Sequence, residues 1–436
     1  MYLPPYVLNC INALEAAGFA AYAVGGCVRD ALLGLEPQDY DLCTAALPEQ
    51  TEAVFSDHRL VLAGKKHGTV GVITEEGVVE ITTFRTEGAY LDNRHPEWVE
   101  FLEDVTGDLA RRDFTVNAMA YSPTRGFADP FGGREDLKDR ILRAVGDPQT
   151  RFREDSLRIL RGARFAAKYR LTPDPSTLDA MFTLRALMGN LARERVFEEL
   201  CKLLLHCDAE CLMRFAPVVT AVIPELEACV GFDQHNPHHI YDIFEHTARA
   251  AEGVPPILSL RWAALLHDVG KPACFTREEN GRGHFYGHPK VSAELAEDIL
   301  RRLKAPTALR EDVVFLCDRH MVTLEPDEKI LLRRLNQHGE ARVRLLLPLQ
   351  RADLMATGTR TPGDAAFFDA VEDMLRTLTA QCFRIRDLAV NGNDLMALGL
   401  KGRAIGQTLQ HLLEQVMEGR LPNEKDVLLG AIQAPL

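Results

Sequence analysis

AYAVGGCVRDALLG (residues 21–34), followed at once by QDYDLCT (residues 38–44), is the stretch on which the fold turns. The apolar run Phe19 to Val24 reads as a strand, Gly25 and Gly26 as a tight turn, and the residues after them as a helix. Glycines let a backbone come close to a ligand, and the free N–H groups opening a helix attract phosphate. Arg29, one turn into that helix, reaches toward the same place. Asp39 and Asp41 stand two apart on an expected strand, Asp39 to Cys43, so both carboxylates point to one face. Like charges at that spacing repel unless a cation lies between them, and Mg²⁺ prefers such hard oxygens. Two such ions can clamp the attacking and leaving oxygens of an in-line displacement. Glu80, inside the apolar strand VVEITTF (residues 78–84), is the expected third carboxylate, with Asp113 in RRDFT as its competitor.

The surroundings fit a globular enzyme. The chain has 436 residues, 46% hydrophobic and 26% charged, which excludes disordered and fibrous classes. No apolar run approaches the roughly 20 residues needed to span a bilayer. The N-terminal stretch lacks a basic n-region and a small-residue cleavage site, so a cytoplasmic, soluble protein without membrane partners is expected. Ten cysteines occur without a CxxC pair, which predicts buried, reduced thiols. A net charge of −13 speaks against nonspecific polyanion binding, yet Lys138 to Arg170 holds ten Lys/Arg against four Asp/Glu, as a local phosphate-binding surface would.

A helix is expected over Val7 to Ala17, and further strands over Thr69 to Thr74 and Val78 to Phe84. From about Leu137 helical periodicity dominates, as in Asp155 to Ala167 and Arg195 to Leu205. The fold class is therefore α+β: a head with a mixed sheet and helices, then an all-helical remainder. The expected divisions are a head over 1–136, a neck over 137–205, a body over 206–360 and a tail over 361–436.

In RFREDSLRILRGARFA (residues 151–166), Asp155, Arg158, Arg161 and Arg164 recur every third residue. The bland account is a set of surface Asp–Arg pairs, worth a few tenths of a kcal/mol each. The sharper one is base reading. Cytosine and adenine both show an amine donor beside a ring-nitrogen acceptor, and a carboxylate with a guanidinium supplies the matching acceptor and donor. Uracil and guanine present a carbonyl and a ring N–H there, so both bonds fail, at about 1–3 kcal/mol per unpaired buried group.

VGGCVRDALLG, DYD and RRDFTVNAMA together resemble the head of the class II tRNA nucleotidyltransferase and bacterial poly(A) polymerase superfamily. The resemblance implies that Asp39 and Asp41 hold catalytic Mg²⁺ and that Gly26, Arg29 and Arg112 bind the nucleotide, with Asn117 positioning the ribose or the turn. EDSLRILRGARF is similar to that family's base-reading motif, which makes Asp155 and Arg158 the base readers. Arg161 and Arg164 become triphosphate or base-stacking contacts. RERVFEEL (residues 193–200) resembles the helix motif that follows. The implied partners are tRNA, CTP and ATP.

Two segments favour CCA addition over poly(A) synthesis. EGAYLDNRHPEWVEF (residues 87–101) resembles the flexible loop of full CCA-adding enzymes. The stretch from Ala389 to Leu429 resembles their tRNA-contacting tail, with Lys401 and Arg403 in its Gly-containing turns. A poly(A) polymerase and a noncatalytic RNA-binding protein are the rivals.

Eight of the fourteen histidines fall between His235 and His320. His246, His267 with Asp268 in AALLHDVGKP, His288, His320 and Asp353 follow the order of the HD phosphohydrolase superfamily, expected here over about 238–355. That resemblance implies a centre for a divalent metal of unspecified identity, the extra histidines able to hold a second ion, with Lys271 offsetting phosphate charge. In some relatives such a domain is a phosphatase and 2′,3′-cyclic phosphodiesterase. GHPK departs from the GHE-type segment of many relatives. His235, His238 and His239 are read as shaping the mouth of this region rather than as ligands. An HD hydrolase of another class is the third rival reading.

Overall fold

The computed structural model describes residues 1–87, 99–237, 239–359 and 361–433. They form two compact units, Met1–Pro224 and Glu225–Leu436. The loop expected from the segment 87–101 lies mostly outside the described residues.

The first unit opens with the helix Pro5–Ala16, then the strand β1 (Ala21–Val24), the helix Gly26–Leu32 and the strand β2 (Asp41–Thr44). β3 (Arg59–Val61), β4 (Thr69–Ile73) and β5 (Val78–Thr83) follow. With the later strands Ala120–Ser122 and Gly126–Ala128 they make one seven-stranded sheet, in which β2 lies between β1 and β5. β1 and β2 run antiparallel, whereas β2 and β5 run parallel, with Asp41 opposite Glu80 and Leu42 opposite Ile81. Along β5 the pattern alternates: Val79 and Ile81 are buried and Glu80 is exposed. Leu42 and Ile81 thereby fill the core, worth about 2 kcal/mol each, while the carboxylates turn away from it. Val24, Cys43, Phe84, Leu109 and Ala120 close the core of the head.

Gly25 ends β1 with φ +76°, a conformation that L side chains adopt only with strain. The chain then leaves the sheet at once for the helix carrying Arg29.

The neck differs from its sequence reading in one respect. A helix over Asp155 to Ala167 is expected, but two helices, Pro148–Glu154 and Leu157–Tyr169, meet at Asp155, whose backbone is extended (φ −139°, ψ 102°). Asp155 Oδ1 accepts from Leu157 N at 3.0 Å, a local bond that competes with helix continuation. The third-residue spacing therefore runs along a helix only from Arg158 onward. Helix Arg193–His206 packs against Leu157–Tyr169.

Among its described residues the second unit is helical apart from a hairpin of two-residue strands, Thr276–Arg277 with Gly283–His284. Helices Ile243–Gly253, Leu258–Leu266, His288–Arg302, Thr307–Arg319 and Glu340–Met355 pack together. Toward the C-terminus Leu395, Leu409, Leu412, Leu413 and Leu428 form a separate small core. No described helix is long and apolar enough to cross a membrane. All ten cysteines are free thiols and seven are buried.

Candidate functional site

A cavity of about 460 Å³ in the first unit gathers Gly25, Gly26, Arg29, Asp41, Arg112, Asp155, Arg158, Arg161 and Arg164. Residues from the Gly turn, the DYD strand, RRDFT and the neck helix, up to 139 positions apart in the chain, thus face one space. Of the expected site residues, Asp39 and Glu80 are not among those lining it.

The carboxylates flank Asp41. Asp39 is exposed and precedes β2 rather than lying on it, because the strand begins only at Asp41. The two acids therefore do not alternate along one strand as expected. Glu80 stands beside Asp41 by sheet register instead. Burial, then the charges of Glu80 and Asp39, push the Asp41 carboxyl above its usual range, with Arg112 opposing them. Such a concentration of negative charge fits a hard divalent cation. Asp113 does not compete for that role. Its Oδ1 accepts from Asn117 Nδ2 (3.0 Å) and Phe114 N (2.9 Å), and its Oδ2 lies 2.7 Å from Arg161 Nη2. Burial opposes its charge, yet Arg161 and Asn117 outweigh that and hold the carboxyl well below its usual range.

Every arginine at the cavity is held by a partner. Arg112 Nη2 donates to the buried Asp108 at 3.1 Å. Arg164 pairs with Glu199 of the helix Arg193–His206 at 2.5 Å. Arg29 is buried, bonded to Asn117 Oδ1, Tyr169 OH and Asp30, and lies 4.2 Å over the Tyr169 ring. Asn117 thus holds Arg29 and Asp113, and it also lines the cavity. Of the two glycines, Gly25 is the constrained one: a Cβ there would fall 2.8 Å from Arg112 Nη1, whereas at Gly26 the nearest atom, Arg29 Nη2, is 3.6 Å away.

Asp155 and Arg158, expected to act as a pair, bond other partners. Asp155 Oδ2 accepts from Arg195 Nη2 at 2.9 Å. Arg158 Nη1 donates to Glu154 Oε2 (2.7 Å) and Arg151 O (3.1 Å), and its Nη2 to Arg111 O (3.1 Å). Each of the two side chains is thus held by other residues rather than by its expected partner. Glu154, Arg195, Glu199, Phe165 and Tyr169 escape the sequence reading. A usable signal is the one-turn spacing of Arg195 and Glu199, which puts both on one helix face.

The second unit brings all six HD-type residues together. His246 and Asp353 sit within helices, His288 opens one, and His267 and His320 close theirs. His246 Nε2 lies 3.0 Å from Asp353 Oδ1 and 3.4 Å from Asp268 Oδ2. His267 Nε2 is 3.4 Å from Asp268 Oδ2, and His288 Nε2 is 3.2 Å from Asp268 Oδ1. Two groups with ligand atoms mutually within 4.8 Å result, His246–His267–Asp268 and Asp268–His288–His320, sharing Asp268.

The imidazoles share one orientation. Nδ1 of His246, His267, His288 and His320 faces a backbone carbonyl, of Ala356, Ala264, Phe285 and Cys317 respectively. A carbonyl only accepts, so Nδ1 carries a proton in each ring and Nε2 is the nitrogen left facing inward. Nε2 of His246, Nε2 of His267 and Oδ1 of Asp268 are buried, and their near polar neighbours are other members of the cluster. His288 and His320 face each other Nε2 to Nε2 at 3.1 Å. Two lone pairs at that distance repel, and a cation between them removes the conflict; the donor set fits a first-row divalent metal. Lys271 Nζ is bonded to Asp268 Oδ2 (2.7 Å) and Gln234 Oε1 (2.8 Å). Of the three mouth histidines, His235 pairs with Asp233, His238 lies outside the described residues, and His239 packs on His246.

A mixed sheet carrying a Gly turn and clustered acids, joined to an arginine-lined helical neck, defines a nucleotidyltransferase with a polymerase-type head. Residues 21–143 match the "Poly A polymerase head domain", 170–229 the "Probable RNA and SrmB- binding site of polymerase A", and 284–432 "tRNA nucleotidyltransferase domain 2 putative". The CCA-adding enzyme of Levilactobacillus brevis is 32% identical over 428 residues, 97% of this chain and 96% of its own. That of Streptococcus gordonii is 33% identical over 431 residues, covering 98% and 96%. Among solved structures, the Bacillus stearothermophilus CCA-adding enzyme in complex with CTP superposes with a TM-score of 0.72 at 26% identity, over 99% of this chain and 97% of that one. The chain belongs to the CCA-adding enzymes.

Proposed function

We infer that this enzyme adds C, C and A to the 3′ end of tRNA from CTP and ATP, without a nucleic-acid template. In this reading the tRNA 3′-hydroxyl attacks the α-phosphate of the bound nucleotide and pyrophosphate leaves. Asp39 and Asp41, with Glu80 beside them, would hold Mg²⁺, which when bound polarises the hydroxyl and steadies the developing charge. Arg112, Arg161 and Arg164 meet the triphosphate, already fixed by Asp108, Asp113 and Glu199, so little side-chain entropy is lost when nucleotide binds. Gly26 and Arg29 shape the wall of the same cavity. Asp155 and Arg158 read the pairing edge of the base. Lys401 and Arg403, exposed beside a shallow groove formed by Gly402, Gly406 and Gln410, are suited to tRNA phosphates. The single observation carrying this reading is that Asp41 of β2 and the Asp155–Arg164 segment line one cavity. Extension of a tRNA lacking its 3′ end with CTP and ATP, separately and mixed, tests it. A poly(A) polymerase would ignore CTP, and a noncatalytic RNA-binding protein would consume no nucleotide.

A second reading rests on the opposed Nε2 atoms of His288 and His320. We propose that the second unit holds divalent metal at His246, His267, Asp268, His288, His320 and Asp353 and hydrolyses phosphate esters such as damaged RNA ends. The metal when bound lowers the pKa of its water and supplies a nucleophilic hydroxide. His267→Ala and Asp268→Ala should abolish hydrolysis while Asp41→Asn leaves it intact.

A further inference from the structure

Five imidazoles run in an unbroken line through the second unit. Ring centroids are 5.2 Å apart for His239 and His246, 5.3 Å for His246 and His267, 5.0 Å for His267 and His320, and 5.1 Å for His320 and His288. Four of these rings have Nδ1 on a backbone carbonyl and Nε2 facing inward. His239, at the end of the line, does not follow that rule. Its Nδ1 is buried and has no hydrogen-bond partner among the described residues. It also stands outside both ligand groups, so its ring lies one step beyond the metal positions.

The backbone holds His239 in place from two sides. Its own N–H donates to Asn236 O at 3.0 Å, and the next residue, Ile240, donates to Thr357 O at 3.3 Å, just past the helix that carries Asp353. Its ring packs against that of His246, at the edge of the cluster in which Lys271 bonds Asp268 at 2.7 Å. An unsatisfied buried polar nitrogen costs about 1–3 kcal/mol, so a fold retains one where a ligand completes it. With a divalent metal held by the neighbouring ligands, an anion is the matching ligand for a ring N–H there.

We propose that His239 is a substrate-contacting residue of the HD-type centre, donating a hydrogen bond from Nδ1 to an oxygen of a phosphate ester bound there. This deepens the metal-centre reading above and rests on it. His239 then separates two tasks that the other histidines leave joined, holding the substrate's phosphate but not the metal.

Calorimetric titration of the full-length protein with Mn²⁺, then of the Mn²⁺-loaded protein with inorganic phosphate, tests the assignment. Asp268→Ala serves as the reference for phosphate bound at the nucleotide cavity. The expected result for His239→Phe is unchanged Mn²⁺ stoichiometry and affinity with phosphate affinity at least tenfold weaker. His239→Asn, which keeps a donor near Nδ1, should recover part of it. Unchanged phosphate affinity in His239→Phe overturns the proposal, and so does a parallel loss of Mn²⁺, which would make His239 a ligand. Wild-type protein that binds no more Mn²⁺ than His267→Ala would instead overturn the metal-centre reading itself.

Discussion

Arg195 Nη2 donates to Asp155 Oδ2 across 2.9 Å, tying the helix Arg193–His206 to the break between the two neck helices. The carboxylate proposed to face a base is thus held from a neighbouring helix, while Glu154 holds Arg158. A carboxylate free to rotate can swing away from a mismatched carbonyl edge and so penalises it less. Arg195→Ala should therefore lower discrimination between CTP or ATP and UTP or GTP about tenfold, the equivalent of about 1.4 kcal/mol. Values of kcat/KM for each nucleotide on a tRNA lacking its end would show it. Equal selectivity in the variant would mean that Asp155 is oriented by other means.

Gly25→Ala and Gly26→Ala should differ. A Cβ at Gly25 meets Arg112 Nη1 at 2.8 Å and must sit at φ +76°, ψ −122°, a sparsely populated region that costs roughly 1–3 kcal/mol. Arg112 is displaced, and KM for CTP and ATP should rise about tenfold. At Gly26 the extra methyl has ordinary contact, so KM should change less than threefold. Steady-state kinetics on both variants decide it.

Asp113 gives a pH signature. Its carboxyl is held below its usual range in the folded chain, against an ordinary value of 3.8. The stability it contributes is therefore present above that value and lost as pH falls through the depressed folded-state pKa. Asp113→Asn should cost about 3 kcal/mol, typical of breaking a buried pair. In urea unfolding the gap between wild type and variant should be the same at pH 7 and pH 5 and smaller at pH 3. A gap that does not narrow contradicts the ion pair with Arg161.

The two centres should be separable. His267→Ala removes a buried imidazole of the second unit, and CCA addition in the absence of damaged ends should stay within twofold of wild type. Asp41→Asn should reduce nucleotidyl transfer about 10³-fold, roughly 4 kcal/mol, with metal binding at the second centre unchanged. Radiolabelled nucleotide incorporation and metal analysis on the same preparations check both halves.

How far the molecule is legible in its sequence follows from how local each feature is. β1, β4 and β5 and the Gly turn rest on alternation and on glycine chemistry within a few residues, and their expected bounds fall within two residues of those found. Glu80 is recognisable as a lone acid in an apolar strand, but its place beside Asp41 depends on parallel pairing across 39 positions. The break at Asp155 is hidden because helical spacing continues on both sides of it. Arg195 and Glu199 become meaningful only once their helix packs on Leu157–Tyr169. The order of the histidines is visible in the chain. Their opposed Nε2 atoms are not, since those depend on helix ends meeting in space.

Sequencing the products formed by wild type and Asp155→Ala on a tRNA without its 3′ end, in an equimolar mixture of all four nucleotides, bears most directly on base choice by protein side chains. Wild type should leave C, C and A, and the variant should leave U or G at a substantial share of the same positions. Identical product sequences from the two proteins would contradict the account.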